Sequence, residues 1–223
     1  MSRARRIAAV GIGVVVLLLV LTQLFLPGIA ADRISSRLAR YGHVRSVDVK
    51  AWPAVELLWG NADSVRVRAS DLAFALPQTG HVLGEASAAH DIDMTAARVR
   101  VGPLELSEVS FHKRGAQLVA RALATEAAVA AALPSGIHIR LLRSERGSVE
   151  VSVGGALFGI GGEIDALAQA SEGKLVARPA APLLALFSLT LYENPRVHIE
   201  SIGASPTTVP AGGYQVTMRA RLQ

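Results

Sequence analysis

The sequence predicts a β-dominated α+β fold, built mainly from antiparallel strands and preceded by one hydrophobic N-terminal helix. Two observations predict the sheet. Beyond Gly42, apolar and polar residues alternate with period two in one short segment after another, the pattern of a sheet with one buried and one solvated face. Half of the chain is hydrophobic (51%) but only 4% is aromatic, so the interior must be made from Ala, Val, Leu and Ile. The helix is predicted by a third observation: the first apolar run carries no charge over a length no small domain hides.

That run comes first. Arg3, Arg5 and Arg6 precede an uncharged stretch from Ile7 to Ala31, with its most apolar part at Val14, Val15, Val16, Leu17, Leu18 and Leu19. Ile7 to Leu26 is twenty residues, about 30 Å of helix and about one bilayer core. Basic residues on the near side predict that the N-terminus stays inside and the rest is exported. A retained anchor is the expectation. A signal peptide has the same layout with a shorter apolar centre, and Gly28-Ile29-Ala30 offers a poor cleavage site. Either way residues 1–31 serve as membrane anchor or signal peptide, and residues 32–223 form one domain on the extracytoplasmic side.

Pro27 and Gly28 should separate this run from a short amphipathic segment. In it Ile29, Ile34, Leu38 and Tyr41 fall at near-helical spacing beside Arg33, Arg37 and Arg40, and Gly42 ends it. Two placements fit equally: flat on a membrane surface with arginines at the headgroups, or packed on the domain.

Alternation then takes over. Val44, Val47 and Val49 begin a strand. Ser64 to Ala69, Arg98 to Val101, Leu104 to Ser107, Ile137 to Leu141, Val149 to Val153, Val197 to Glu200 and Tyr214 to Leu222 continue the pattern. Val65, Val67, Val149, Val151, Val197 and Ile199 are the expected inward positions. Ser144-Glu145-Arg146-Gly147 and Ala211-Gly212-Gly213 are expected turns. One helix interrupts the strands. Thr125 is its N-cap, Glu126 lies in its first turn, Ala-rich sequence runs to Leu133, and Pro134 and Gly136 stop it. Being apolar nearly all round, it should be buried against the sheet. Periodicity does not choose among a closed barrel, a sandwich, and a sheet curled around a helix.

Two apolar stretches break the pattern. Gly154 to Gly162 is glycine-rich yet carries Leu157, Phe158 and Ile160. It reads either as a strand with a bulge or as a hairpin tip that enters lipid or lines a pocket mouth. Pro179 to Tyr192 has Leu183, Leu184, Leu186 and Phe187 and no charge until Glu193, and is too short to span a bilayer. Its burial, under protein or under lipid, is the expectation. Leu157, Phe158, Ile160, Leu183, Leu184, Leu186 and Phe187 are therefore the candidate lining of one apolar cavity.

Composition removes several chemistries. There is no cysteine, so disulfides, thiolate metal sites, cysteine nucleophiles and an acylated-cysteine anchor are excluded. The formal charge of +5 comes largely from the three N-terminal arginines; the remainder carries 20 basic and 18 acidic residues. That is no nucleic-acid footprint. His90-Asp91-Ile92-Asp93 is the one His/carboxylate cluster, and its groups would point to opposite faces of a strand, so a solvated turn is expected and no metal. His43, His81, His112, His138 and His198 are expected at the surface. No nucleophile elbow, phosphate loop or zinc signature occurs. No catalytic residue and no cofactor are expected.

At Ala51-Trp52-Pro53-Ala54-Val55-Glu56-Leu57-Leu58-Trp59-Gly60-Asn61-Ala62-Asp63-Ser64-Val65-Arg66-Val67 the chain resembles the LmeA-like phospholipid-binding family of actinobacterial envelope proteins. The aromatic-proline pair Trp52-Pro53, Gly60, and the strand from Asp63 to Val67 carry the resemblance. The N-terminal run, the helix from Thr125 and the last strand after Gly213 fit its layout across roughly residues 27–223. Gln78 to Ala89 departs from it as a polar insertion, and the cleavage site is weak. The resemblance implies a long curved sheet wrapped on short helices, akin to tubular lipid-binding domains. It also implies a non-catalytic protein that binds phospholipid in an apolar groove and supports lipid transfer or envelope glycolipid assembly. Membrane and phospholipid are then the expected partners. The competing expectation is a membrane-anchored structural or partner-binding envelope protein with a fully packed core.

Overall fold

The computed structural model describes residues 22–23, 25–75, 89–133, 135–145, 147–157, 160–180, 188–208 and 212–222; for residues 156, 157, 160 and 161 it describes the backbone alone. The expected apolar helix centred on Val14 to Leu19 lies outside these residues. Among the described residues no helix is long and apolar enough to cross a membrane.

The described chain is strand-dominated, in two sheets. The larger has seven strands: β1 (Gly42–Lys50), β2 (Ala62–Phe74), β3 (Ala89–Val101), β4 (Leu104–Arg114), β5 (Gln117–Thr125), then β12 (Gly213–Leu222) and β11 (Val197–Thr207). The smaller has five, in the order β10 (Leu189–Tyr192), β9 (Lys174–Pro179), β8 (Ile160–Ser171), β7 (Ser148–Leu157) and β6 (Ile137–Glu145). The chain leaves the large sheet after β5, builds the small sheet, and returns to finish the large one with β11 and β12.

Strand pairing is antiparallel throughout except for β2 and β3, which run parallel. This departs at one pair from the expected antiparallel sheet. A parallel neighbour needs a crossover of about a dozen residues, and residues 75–88, which contain most of the expected polar insertion, supply the length. The parallel register sets opposite charges side by side on the outer face: Arg66 meets Asp93 at 3.8 Å and Arg98 meets Asp71 at 3.2 Å. Such exposed pairs stabilise little, but like charges in their place would cost.

The inner face can be followed strand by strand. Val49, Val65, Ile92, Lys113, Leu118, Ala220 and Ile199 form one row across all seven strands. Val65, Val67, Val149, Val197 and Ile199 are buried and Val151 is half-buried, while Arg66 and Arg68 face solvent. The valine alternation thus assigned the faces correctly. Fully burying such a side chain contributes about 1.5–3 kcal/mol.

Residues 25–38 form helix α1. The helix passes through Pro27 and Gly28, which therefore do not separate two segments. Ala30, Ala31, Ile34 and Leu38 pack on the cluster of Val49, Val65, Val67 and Ala89, which decides between the two placements in favour of the domain. The second helix, α2 (Glu126–Ala132), is capped as expected: Thr125 Oγ1 accepts from the Ala128 amide at 3.1 Å. It has no buried residue, contrary to expectation. Alanine side chains are too short to draw a two-turn helix into the sheet, and α2 bridges the two sheets from the surface. The segment His90 to Asp93, expected as a turn, lies in β3.

The two sheets are joined at the edge of β11. The Ile199 amide donates to the Gly173 carbonyl (2.9 Å), the Ile202 amide to the Gly147 carbonyl (3.2 Å) and the Ala204 amide to Ser144 Oγ (2.9 Å). Turns of the small sheet thereby occupy donors that an edge strand otherwise leaves open. Gly173 has φ +78° and lies against the His198 ring, where a Cβ would collide.

Candidate functional site

Buried apolar residues of the large sheet fall into separate clusters. Val49, Val65, Val67 and Ala89 lie under α1, with Ala69, Leu72, Ala96 and Val99 beyond them. Leu118, Ala220, Val197 and Ile199 lie under the small sheet, where Ala170, Leu175 and Tyr192 cover them. Between the two regions one strip of the inner face is only half-buried. Met94, Phe111, Ala120 and Met218 follow one another in register on β3, β4, β5 and β12, all of them half-buried. Val109 and Val216 continue the strip toward the other end of the strands. The result is an apolar floor of flexible methionines, one phenylalanine and small alanines, with a better-packed core on either side. Methionine adapts to irregular apolar partners because its chain is unbranched and its sulfur polarisable.

Lys113 stands one row from this strip, in register with Ile92 and Leu118. Its side chain belongs to the apolar face, yet the residue is only 4% exposed. The ammonium is satisfied by the carbonyls of Ala89 and His90. Burial pushes its pKa below the ordinary lysine value, and the Asp91 carboxylate opposes that shift. On the opposite face, Asp93 meets both Arg66 and His112 Nδ1 (3.3 Å), a solvated cluster. Among the described residues no group of three or more His, Cys, Asp or Glu could hold a metal.

A small cleft opens where β1 to β4 meet the end of α1, lined by Tyr41, Leu72, Arg98, Arg100 and Glu105 among others. Its arginines are already engaged, Arg98 with Asp71 and Arg100 with Glu105 at 3.4 Å.

The residues singled out from the sequence fall mostly outside this description. Phe158, Leu183, Leu184, Leu186 and Phe187 lie outside the described residues. Leu157 and Ile160 end β7 and begin β8 as a register pair, and their side chains lie outside the description too. The β7–β8 register runs without a shift, so the glycines of 154–162 mark no bulge there. Gly154 is buried opposite His138, whose ring would have to move aside for a Cβ. In the second stretch, Leu189 is 65% exposed and Leu191 is exposed too, while Tyr192 packs on the cluster of Leu118 and Ile199, so protein covers only part of its described end. Among the described residues, edge strand β10 pairs with β9 alone.

A family model for LmeA-like phospholipid-binding proteins matches residues 21–220. The chain belongs to this family. No curated protein and no solved structure matches it. The match spans both sheets and α1, so the family unit includes the half-buried strip, the buried lysine and the junction at β11.

The sequence reading missed the strip because Met94, Ala120 and Met218 look like ordinary strand residues. A signal for Lys113 was present: it takes the apolar parity of Val109 and Phe111 in β4. A lysine at that parity announces a buried amine.

Proposed function

We propose that this chain is a non-catalytic envelope protein that shelters the acyl chains of a phospholipid on the inner face of its large sheet, with residues 32–223 outside the cytoplasm. The observation that carries this reading is the half-buried strip of Met94, Phe111, Ala120 and Met218, lying between better-packed regions in a chain of a phospholipid-binding family. A floor of methionines and alanines with a single aromatic ring suits flexible chains because it imposes little shape. Each methylene taken from water contributes about 0.8 kcal/mol. Leu157, Phe158, Ile160, Leu183, Leu184, Leu186 and Phe187 are proposed to extend the same apolar surface. The anchor expected at Val14 to Leu19 would keep the lipid site close to its source.

The test is purification of the full chain, organic extraction and mass spectrometry of what it carries. A phospholipid near one per protein supports the reading. Ala120→Phe fills the floor of the strip and should lower the bound lipid severalfold with little change in melting temperature. Phe158→Ser, Leu183→Ser and Phe187→Ser test the extension: lipid retained at all three removes those residues from the site. A folded wild-type chain that carries no lipid favours a structural or partner-binding protein.

A further inference from the structure

From the exposed apolar surface at one end of the molecule, we infer that Trp52, Leu58 and Trp59, together with Phe25 and Ile29 of α1, form a docking patch that enters the interface of a phospholipid bilayer. This does not depend on the strip holding a lipid. Trp52 and Trp59 are the only tryptophans in the chain, and they are 76% and 72% exposed. Leu58, Phe25 and Ile29 are exposed as well. A residue as large as tryptophan is normally at least half covered, and two uncovered within eight residues signal a partner.

The patch is held in place from below. Residues Ala54 to Trp59 form a 3₁₀ helix, with three residues per turn. Ala54 and Leu57 therefore share a side, and that side faces the molecule: Ala54 is buried and Leu57 packs on the cluster of Val49, Val65 and Val67. Leu58 and Trp59 are left pointing outward. Gly60, at φ +81°, closes the turn, with its amide on the Leu57 carbonyl at 3.1 Å. The Trp52 amide donates to Asp63 Oδ2 at 2.6 Å. These bonds fix the backbone of the loop, and both indoles stay exposed on it.

The choice of a bilayer as occupant comes from the second half of the patch. Gln23 donates to the Ala51 carbonyl at 3.1 Å and accepts from the Ala54 amide at 2.8 Å. These bonds hold the tryptophan loop beside the start of α1. That is where the charge-free run from Ile7, whose last residues belong to α1, enters the described structure. Phe25 and Ile29 are exposed on the same helix, before its later turns pack the half-buried Ile34 and Leu38 on the domain. A chain that leaves a bilayer at this point brings the loop to headgroup depth. Indoles prefer that depth because the ring is apolar and its N–H still finds water.

The full chain can be tested unaltered, because its tryptophan fluorescence comes from these two positions alone. It is reconstituted into phosphatidylcholine/phosphatidylglycerol vesicles, with or without acyl chains brominated near the headgroup end. Expected are emission at shorter wavelength than for a solvated indole, loss of most intensity with brominated lipid, and protection from aqueous iodide. Trp52→Phe and Trp59→Phe, substitutions at exposed positions, should each leave a single quenchable indole. Emission typical of water with full access to iodide would overturn the assignment. So would short-wavelength emission untouched by brominated lipid, which would mean that protein, such as a second copy of the chain, covers the patch.

Discussion

The Lys113 ammonium donates to the backbone carbonyl of Ala89, at the first residue of the neighbouring strand, on a face otherwise built largely from apolar side chains. The pairing satisfies the amine but does not return its hydration. Lys113→Met keeps the length and removes the buried charge, so it should leave stability within about 1 kcal/mol of wild type or raise it. Lys113→Ala should cost about 2–4 kcal/mol through the void it leaves. The pH dependence has a definite sign. Burial lowers the folded-state pKa below the ordinary 10.5. As pH rises through the lowered value toward 10.5, the folded chain has lost a proton that the unfolded chain still holds. Stability relative to Lys113→Met should therefore rise with pH in that window. Urea unfolding of both proteins at several pH values checks it; a difference that does not change with pH contradicts it.

Gly173 meets His198 where the small sheet joins β11. Gly173→Ala introduces a clash at a positive φ and should cost at least 1–2 kcal/mol. Gly162 has open space around its Cβ position and no positive φ. Gly162→Ala should be neutral or slightly stabilising. Melting temperatures of the two variants give the contrast directly.

Thr125 ends β5 and caps α2 with one hydroxyl. Thr125→Ala should cost about 1 kcal/mol and Thr125→Ser much less, because serine retains the acceptor. Equal losses would place the effect in the threonine methyl and not in the cap.

Ile199 is 2% exposed and lies where the large sheet meets the small one. Ile199→Ala should cost about 2–5 kcal/mol. Arg66→Ala on the outer face of the same sheet should change stability by no more than about 0.5 kcal/mol, since its partner Asp93 stays solvated and keeps His112. Denaturant midpoints measured side by side test this division of the two faces.

Much of this protein was determined by the sequence alone, because its signals are local. Period-two alternation placed Val65, Val67, Val197 and Ile199 on one face and Arg66 and Arg68 on the other, since successive strand side chains must point oppositely. The threonine at 125 set the start of α2, because a helix's first amides need an acceptor. The order from Trp52-Pro53 to Val67 was enough to suggest the family. Only the tertiary structure decided what depends on residues distant in the chain. It set β2 and β3 parallel, which requires knowing where the crossover returns. It carried α1 onto Val49 and Val67, a choice between lipid and protein that an amphipathic pattern leaves equal. It put Lys113 in register with Ile92 and Leu118, and Met94, Phe111, Ala120 and Met218 in one row. Those neighbours come from four strands, and no window of sequence contains them. It also left Leu58 and Trp59 outward, because Ala54 and Leu57 had already taken the inward side of the same turn, with Trp52 exposed beside them.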